Sequence, residues 1–194
     1  MYEVALVLGV DTPEALDMLQ GAVVRYRTLL PASDPALVMP VVALAAGYCN
    51  VSRFQEALQT AEEARRLCEG TGSEMRYEAA DMLAHVVALA HSGLGNEQAV
   101  LDARKTVVRI RKNHFGDEHI EVAKAITELA DTLLSAGDVK QAIQEQTAAL
   151  EMLLALFGND HPSVVEVLLL LIYADFSCTR ARIALRGCIQ LQTT

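Results

Sequence analysis

Residues 114–123 read HFGDEHIEVA, and residues 156–165 read LFGNDHPSVV. Phe115 and Phe157, Gly116 and Gly158, and His119 and His161 each stand 42 positions apart. A fixed period of this length is the mark of a repeat architecture, in which each unit buries its apolar face only by stacking on its neighbours. A small residue early in alternate helices extends the period along the chain. It recurs at Ala15, Ala57, Ala99, Ala142 and Ala184, with spacings of 42, 42, 43 and 42.

The stretches between these points read as helices. Val122, Ile126, Leu129 and Leu133 share one face of a helix over Glu121–Ser135, and Gly137-Asp138 is a stop followed by a cap. A second helix follows over Val139–Leu156, with Ala142, Ala149, Leu150 and Leu153 as its inner stripe. Pro162 suits the first turn of the next helix. The same plan places helices from Thr12-Pro13 to Leu29, Asp34-Pro35 to Tyr48, Ser52–Ala57 to Cys68, Glu74 to His91, and Gly95-Asn96 to Lys112. No stretch alternates with period two, so the class is all-α with no sheet.

The Gly-x-x-His-Pro turn, the Gly-x-Val/Phe-x-x-Ala bend and the 42-residue period together resemble the kinesin-light-chain class of tetratricopeptide repeats. The resemblance is best over 34–161 of a single array spanning 1–194, with 176–194 a divergent basic C-terminal end. It implies a right-handed α-solenoid of antiparallel helix pairs, whose first helices line a concave groove. The positions it assigns to that groove are Met39, Val42 and Ala46, then Asp81, Ala84 and Ala88. They continue as Lys124, Thr127 and Asp131, then Glu166, Leu169 and Tyr173. None is the Asn that the family uses to hold an extended peptide, and no Lys/Asn/Arg set is present to clamp a terminal carboxylate. A groove apolar at both ends suits the apolar face of a partner helix better than an extended strand.

Val164, Val165, Val167, Leu168, Leu169, Leu170, Leu171 and Ile172 leave the last strongly apolar helix without a polar face, a composition normal for a helix buried all round. Either the tail from Thr179 to Leu191 folds back as a final helix, with Ala184 in register, or another subunit covers the surface by self-association through Leu169, Leu170 and their neighbours. The start, Met1 to Val10, reads as the remnant of a first helix.

Chemical motifs are missing. There is no HExxH, and the four cysteines Cys49, Cys68, Cys178 and Cys188 form no CxxC, so neither a metal site nor a disulfide framework is expected. Gly93-Leu94-Gly95 lacks a third glycine, and no phosphate loop or GxSxG elbow appears. The chain is therefore read as a non-enzyme without cofactor. Its net charge of -9 disfavours nucleic acid. The apolar run Val164–Ala174 is too short for a membrane span, and the N-terminus lacks the basic start of a signal peptide. Basic residues gather at Arg104, Lys105, Arg109, Arg111 and Lys112, where helical spacing puts Lys105, Arg109 and Lys112 on a face opposite Ala99, Ala103 and Ile110, either a solvated face or one for an acidic partner; they gather again at Arg180, Arg182 and Arg186, after the last acidic residue, Asp175. The expectation is a cytoplasmic scaffold or adaptor that binds a protein or peptide, with a cytoskeletal setting implied by the resemblance. The alternatives are a structural subunit of a large assembly and a regulatory repeat domain of a larger protein.

Overall fold

The computed structural model describes residues 13–32, 34–71, 75–158 and 161–172, and among them there are helices and short turns but no strand. Helix α1 is Pro13–Leu29. A 3-10 turn, Pro35–Leu37, leads into α2, Val38–Asn50. Then follow α3 Phe54–Thr71, α4 Tyr77–Gly93, α5 Glu97–Phe115, α6 Ile120–Ser135 and α7 Val139–Phe157. A last described helix, α8, covers 162–172. The chain divides into two compact units, Met1–Ile110 and Arg111–Thr194.

In the first unit, Leu16, Leu19 and Val23 of α1 pack on Val38, Val41, Val42 and Leu44 of α2, with Ala64 and Cys68 of α3 and Ala79 of α4 closing the cluster. A second cluster joins Ala45 and Cys49 of α2, Ala57 and Ala61 of α3, and Val86 and Ala90 of α4. Small residues at these contacts let the helix axes approach closely. In the second unit, α6 and α7 pack against each other across a three-residue turn. Val122, Ile126, Leu129 and Leu133 are all buried there, as their spacing predicts. On α7 the buried stripe is Ala142, Gln146, Ala149 and Leu153, so Gln146 takes a place expected for an apolar residue and Leu150 is only half-buried.

The turn inside each pair repeats in detail. Ser52, Gly95 and Gly137 have φ of 61°, 71° and 83°. The next residue's N–H reaches back five positions: Arg53 to Tyr48 O, Asn96 to His91 O and Asp138 to Leu133 O, at 2.8, 2.9 and 2.9 Å. This is the paired helix stop that a left-handed residue permits. Four residues after each of Arg53, Asn96 and Asp138 come Ala57, Val100 and Ala142, all buried. Val100 therefore fills the place expected for Ala99, which is half-buried. The one extra residue of the repeat lies between the first and second of these turns, not between the second and third.

The turn between pairs also recurs. His119 caps α6 by accepting the Glu121 N–H at Nδ1, 3.1 Å away, and His161 does the same for Ser163 at 3.2 Å. Each ring stacks on the preceding phenylalanine, Phe115 or Phe157, with centroids 4.3 Å apart. The cap occupies Nδ1 as an acceptor, so the ring proton sits on Nε2. α5 runs three residues past its expected end because Gly116, at φ 88°, is where the chain can reverse. α4 begins at Tyr77, later than expected, behind an extended Arg76.

Candidate functional site

With the turns as the frame, equivalent positions on the first helix of each pair stand 43, 42 and 42 residues apart. One column is Val41, Ala84, Ile126 and Leu168, and another is Ala45, Ala88, Ala130 and Ile172. In α2, α4 and α6 every member of both columns is buried. In α8 the same columns come to the surface, with Leu168 41% and Ile172 65% exposed. Val165, the counterpart of buried Ala123, is 49% exposed, and Leu169 beside it is 62% exposed. Val165, Leu168, Leu169 and Ile172 follow i, i+3, i+4, i+7 spacing, so they form one stripe along one face. Val164 and Val167, away from the stripe, are both buried. The stripe is the most concentrated exposed apolar surface among the described residues.

The groove positions assigned from the sequence divide into three groups. Val42, Ala84 and Ala88 are core residues: Val42 is covered by α1, and Ala84 lies at the wall of an apolar cleft of about 250 Å³ between α4 and α5. Met39, Ala46, Asp81, Thr127 and Leu170 are half-buried, and Lys124, Asp131, Glu166 and Leu169 are exposed. Tyr173 lies outside the described residues, as do the N-terminal remnant and the tail carrying Ala184. The misplacement in the second pair is a register slip. Counted from the turns, the counterparts on α4 of Met39, Val42 and Ala46 are Met82, His85 and Leu89, one residue beyond Asp81, Ala84 and Ala88; Met82 packs on the core and His85 is half-buried. Leu89 is 48% exposed. The left-handed turn residues Ser52, Gly95 and Gly137 carry the signal that would have placed the row correctly.

Of the basic group on α5, Lys105, Arg109 and Lys112 are exposed, as their helical spacing predicts. Arg111 is buried and bonded to Glu121, donating to its carbonyl oxygen at 3.2 Å and lying 3.5 Å from its carboxylate. Arg104 is half-buried. Lys112 pairs with Asp117 at 3.3 Å. The thiols at Cys49 and Cys68 are buried. Burial pushes Cys49 up to about 11, so it stays a neutral thiol that approaches Val86 O at 3.6 Å and is no nucleophile at neutral pH. Among the described residues no group of three His, Cys, Asp or Glu is placed to hold a metal ion, and no helix is long and apolar enough to cross a membrane.

Residues 122–163 match the model of the tetratricopeptide repeat family. That segment begins in α6, contains α7 and ends just after the His161 cap, so it is one period of the repeat described above. A solved structure of nearly identical repeats, described as kinesin light chain from Podosopora anserina, is similar over 99% of this chain and 92% of its own. The TM-score is 0.75 at 21% identity. The fold is that of a tetratricopeptide repeat protein. A single-substitution form of the Podosopora protein matches at TM-score 0.74 and 21% identity, covering 99% of this chain and 91% of that one. BtubC (BKLC) from P. vanneervenii matches at TM-score 0.63 and 19% identity, over 87% of this chain and 68% of its own. No curated protein matches the sequence. As a tetratricopeptide repeat fold, the chain falls in a class that generally serves as protein-interaction scaffold.

Proposed function

We propose that this protein is an interaction scaffold whose docking surface is the α8 stripe Val165, Leu168, Leu169 and Ile172. The observation that carries the reading is that columns buried in α2, α4 and α6 are exposed in α8, with side chains as large as Val, Leu and Ile. Fully burying such a side chain contributes about 1.5–3 kcal/mol, so a partner laid along the stripe gains most of its free energy there. The exposed Lys124 and Asp131 of α6 supply a charged border that selects partners more than it holds them. Self-association through the same stripe is the homotypic form of this reading. A cytoplasmic adaptor in a cytoskeletal setting is supported by likeness to kinesin light chain repeats, which is analogy at the level of fold.

A photo-reactive phenylalanine analogue placed at Leu169 tests the reading in cells. It is expected to give discrete protein adducts that the same analogue at exposed Gln144 does not give. Adding Ile172→Glu should remove them. Adducts no stronger at 169 than at 144 would refute the docking surface.

A further inference from the structure

We infer that the cleft between α7 and the turn before α6 is a further docking site, and that it takes a lysine- or arginine-bearing segment of another protein. The cleft holds about 390 Å³, lies wholly in the second unit and shares no residue with the α8 stripe. Its floor is apolar. Ala148, Met152, Ala155 and Leu156 follow i, i+4, i+7, i+8 spacing on one face of α7, and Leu156 is 40% exposed. Its edge is charged. Lys112 and Asp117 stand 3.3 Å apart and offset each other. That leaves Glu118 and Glu151, both exposed and neither ion-paired among the described residues.

The repeat builds a cleft at this place twice. In the first unit, Met75, Thr106 and Ile110 line the cleft between α4 and α5, and 42 positions on stand Asp117, Ala148 and Met152. No residue lining that earlier cleft is charged. At the places of Glu118 and Glu151 the earlier repeat carries Arg76 and Arg109, both exposed. Stacking of repeats therefore accounts for a cleft here but not for its acid, since the same two positions tolerate the opposite charge.

Floor and edge together specify the occupant. A purely apolar segment strips water from two carboxylates and replaces none of its hydrogen bonds. An acidic segment is repelled. Lysine and arginine match both parts, because their aliphatic stems lie along apolar surface while the charged heads stay at its polar edge. A stem on Met152 and Leu156 brings the head to Glu118 or Glu151. At about 390 Å³ the cleft has room for more than one side chain, which fits a segment of chain better than a single amine.

NMR of the full chain with methyl-labelled methionine tests this, with a leucine–lysine helical peptide as the probe. Loss of a signal in Met152→Leu assigns Met152, and titration of that signal reads affinity at this site alone. The peptide is expected to shift Met152 and leave Met75, in the earlier cleft, where it is. A leucine–glutamate counterpart should bind roughly tenfold weaker or worse. Glu118→Arg/Glu151→Arg, which copies the charges of the earlier repeat, should weaken the lysine peptide by a similar factor. Asp17→Arg/Glu97→Arg makes the same change of net charge at exposed positions elsewhere, and should alter affinity by less than about threefold. An unmoved Met152 would overturn the inference. Equal losses from the two double variants would also overturn it, in favour of attraction by net charge alone. A Met152 shift of the same size from spermine at the same concentration would replace the protein segment with a small polyamine.

Discussion

α6 and α8 occupy the same place in the repeat, yet one is finished and the other open. Ala123, Ile126 and Ala130 of α6 are sealed, whereas Val165, Leu168 and Ile172 of α8 face outward. The open face is the more apolar of the two by side-chain size. A helix evolved to stay in water would carry polar residues in these columns, as α6 does on its outer side with Lys124 and Asp131. The contrast teaches that exposure in a solenoid is set by the neighbour a helix has, while composition records the neighbour it is built for.

The sharpest way to break the comparison is to cut the same column on both helices. Ile126→Ala removes a buried branched side chain beneath α7 and should lower unfolding free energy by about 2–5 kcal/mol. Leu168→Ala, its counterpart, should cost about 1–2 kcal/mol, because only part of that side chain is removed from water. Urea denaturation of both variants beside the wild type reads the difference. Equal losses would mean that the α8 face is as completely covered as that of α6. A loss near zero for Leu168→Ala would mean that nothing rests on it.

The second effect concerns α7, the helix that closes α6. Gln146 is fully buried, and neither its amide nitrogen nor its oxygen has a hydrogen-bond partner. Its counterpart in the first pair, Ala61, is also buried but leaves nothing unsatisfied. An unpaired buried amide costs about 1–3 kcal/mol. Gln146→Met keeps the length and removes the polar atoms, so it should raise stability by about 1–2 kcal/mol. A loss instead would show that the amide is satisfied in solution, as by an internal water. Either result sharpens the contrast with α8, because it reports how well the finished pair is in fact finished.

Much of this was legible in the sequence. The Phe-Gly and His pairs at 115–119 and 157–161 announced the period, and the spacing of Val122, Ile126, Leu129 and Leu133 marked the buried face of α6. The register of α4 differs by one residue from the sequence-based expectation because alanine is too common here to fix it: Ala99 stands next to Val100, which occupies the place. Backbone geometry fixes the register better, since a left-handed turn tolerates few residue types. Gly95 and Gly137 advertise that requirement and Ser52 conceals it. The all-apolar run of α8 was legible as well, but composition cannot show which of its residues lack a cover. That depends on long-range packing and emerged only from burial compared column by column. Arg111 teaches the same point, since its burial depends on Glu121, ten residues on and across a turn.

The smallest effect tests whether that turn geometry does set the register. Ser52 adopts φ 61° where its counterparts are glycine. A side chain in the left-handed region costs about 1–2 kcal/mol, partly offset because glycine adds about 0.5–1 kcal/mol of disorder to the unfolded chain. Ser52→Gly should therefore stabilise the first pair by about 0.5 kcal/mol, and Gly137→Ser should destabilise the α6–α7 pair by a similar amount. The two changes swap the same residues at the same position of the repeat, so their effects on the urea midpoint should be opposite in sign and nearly equal. If both destabilise, Ser52 holds its turn through something other than backbone conformation, and the three turns are not equivalent. If they mirror each other, the left-handed residue is the position from which every other column in this chain should be counted, including the one that reaches the surface at Leu168.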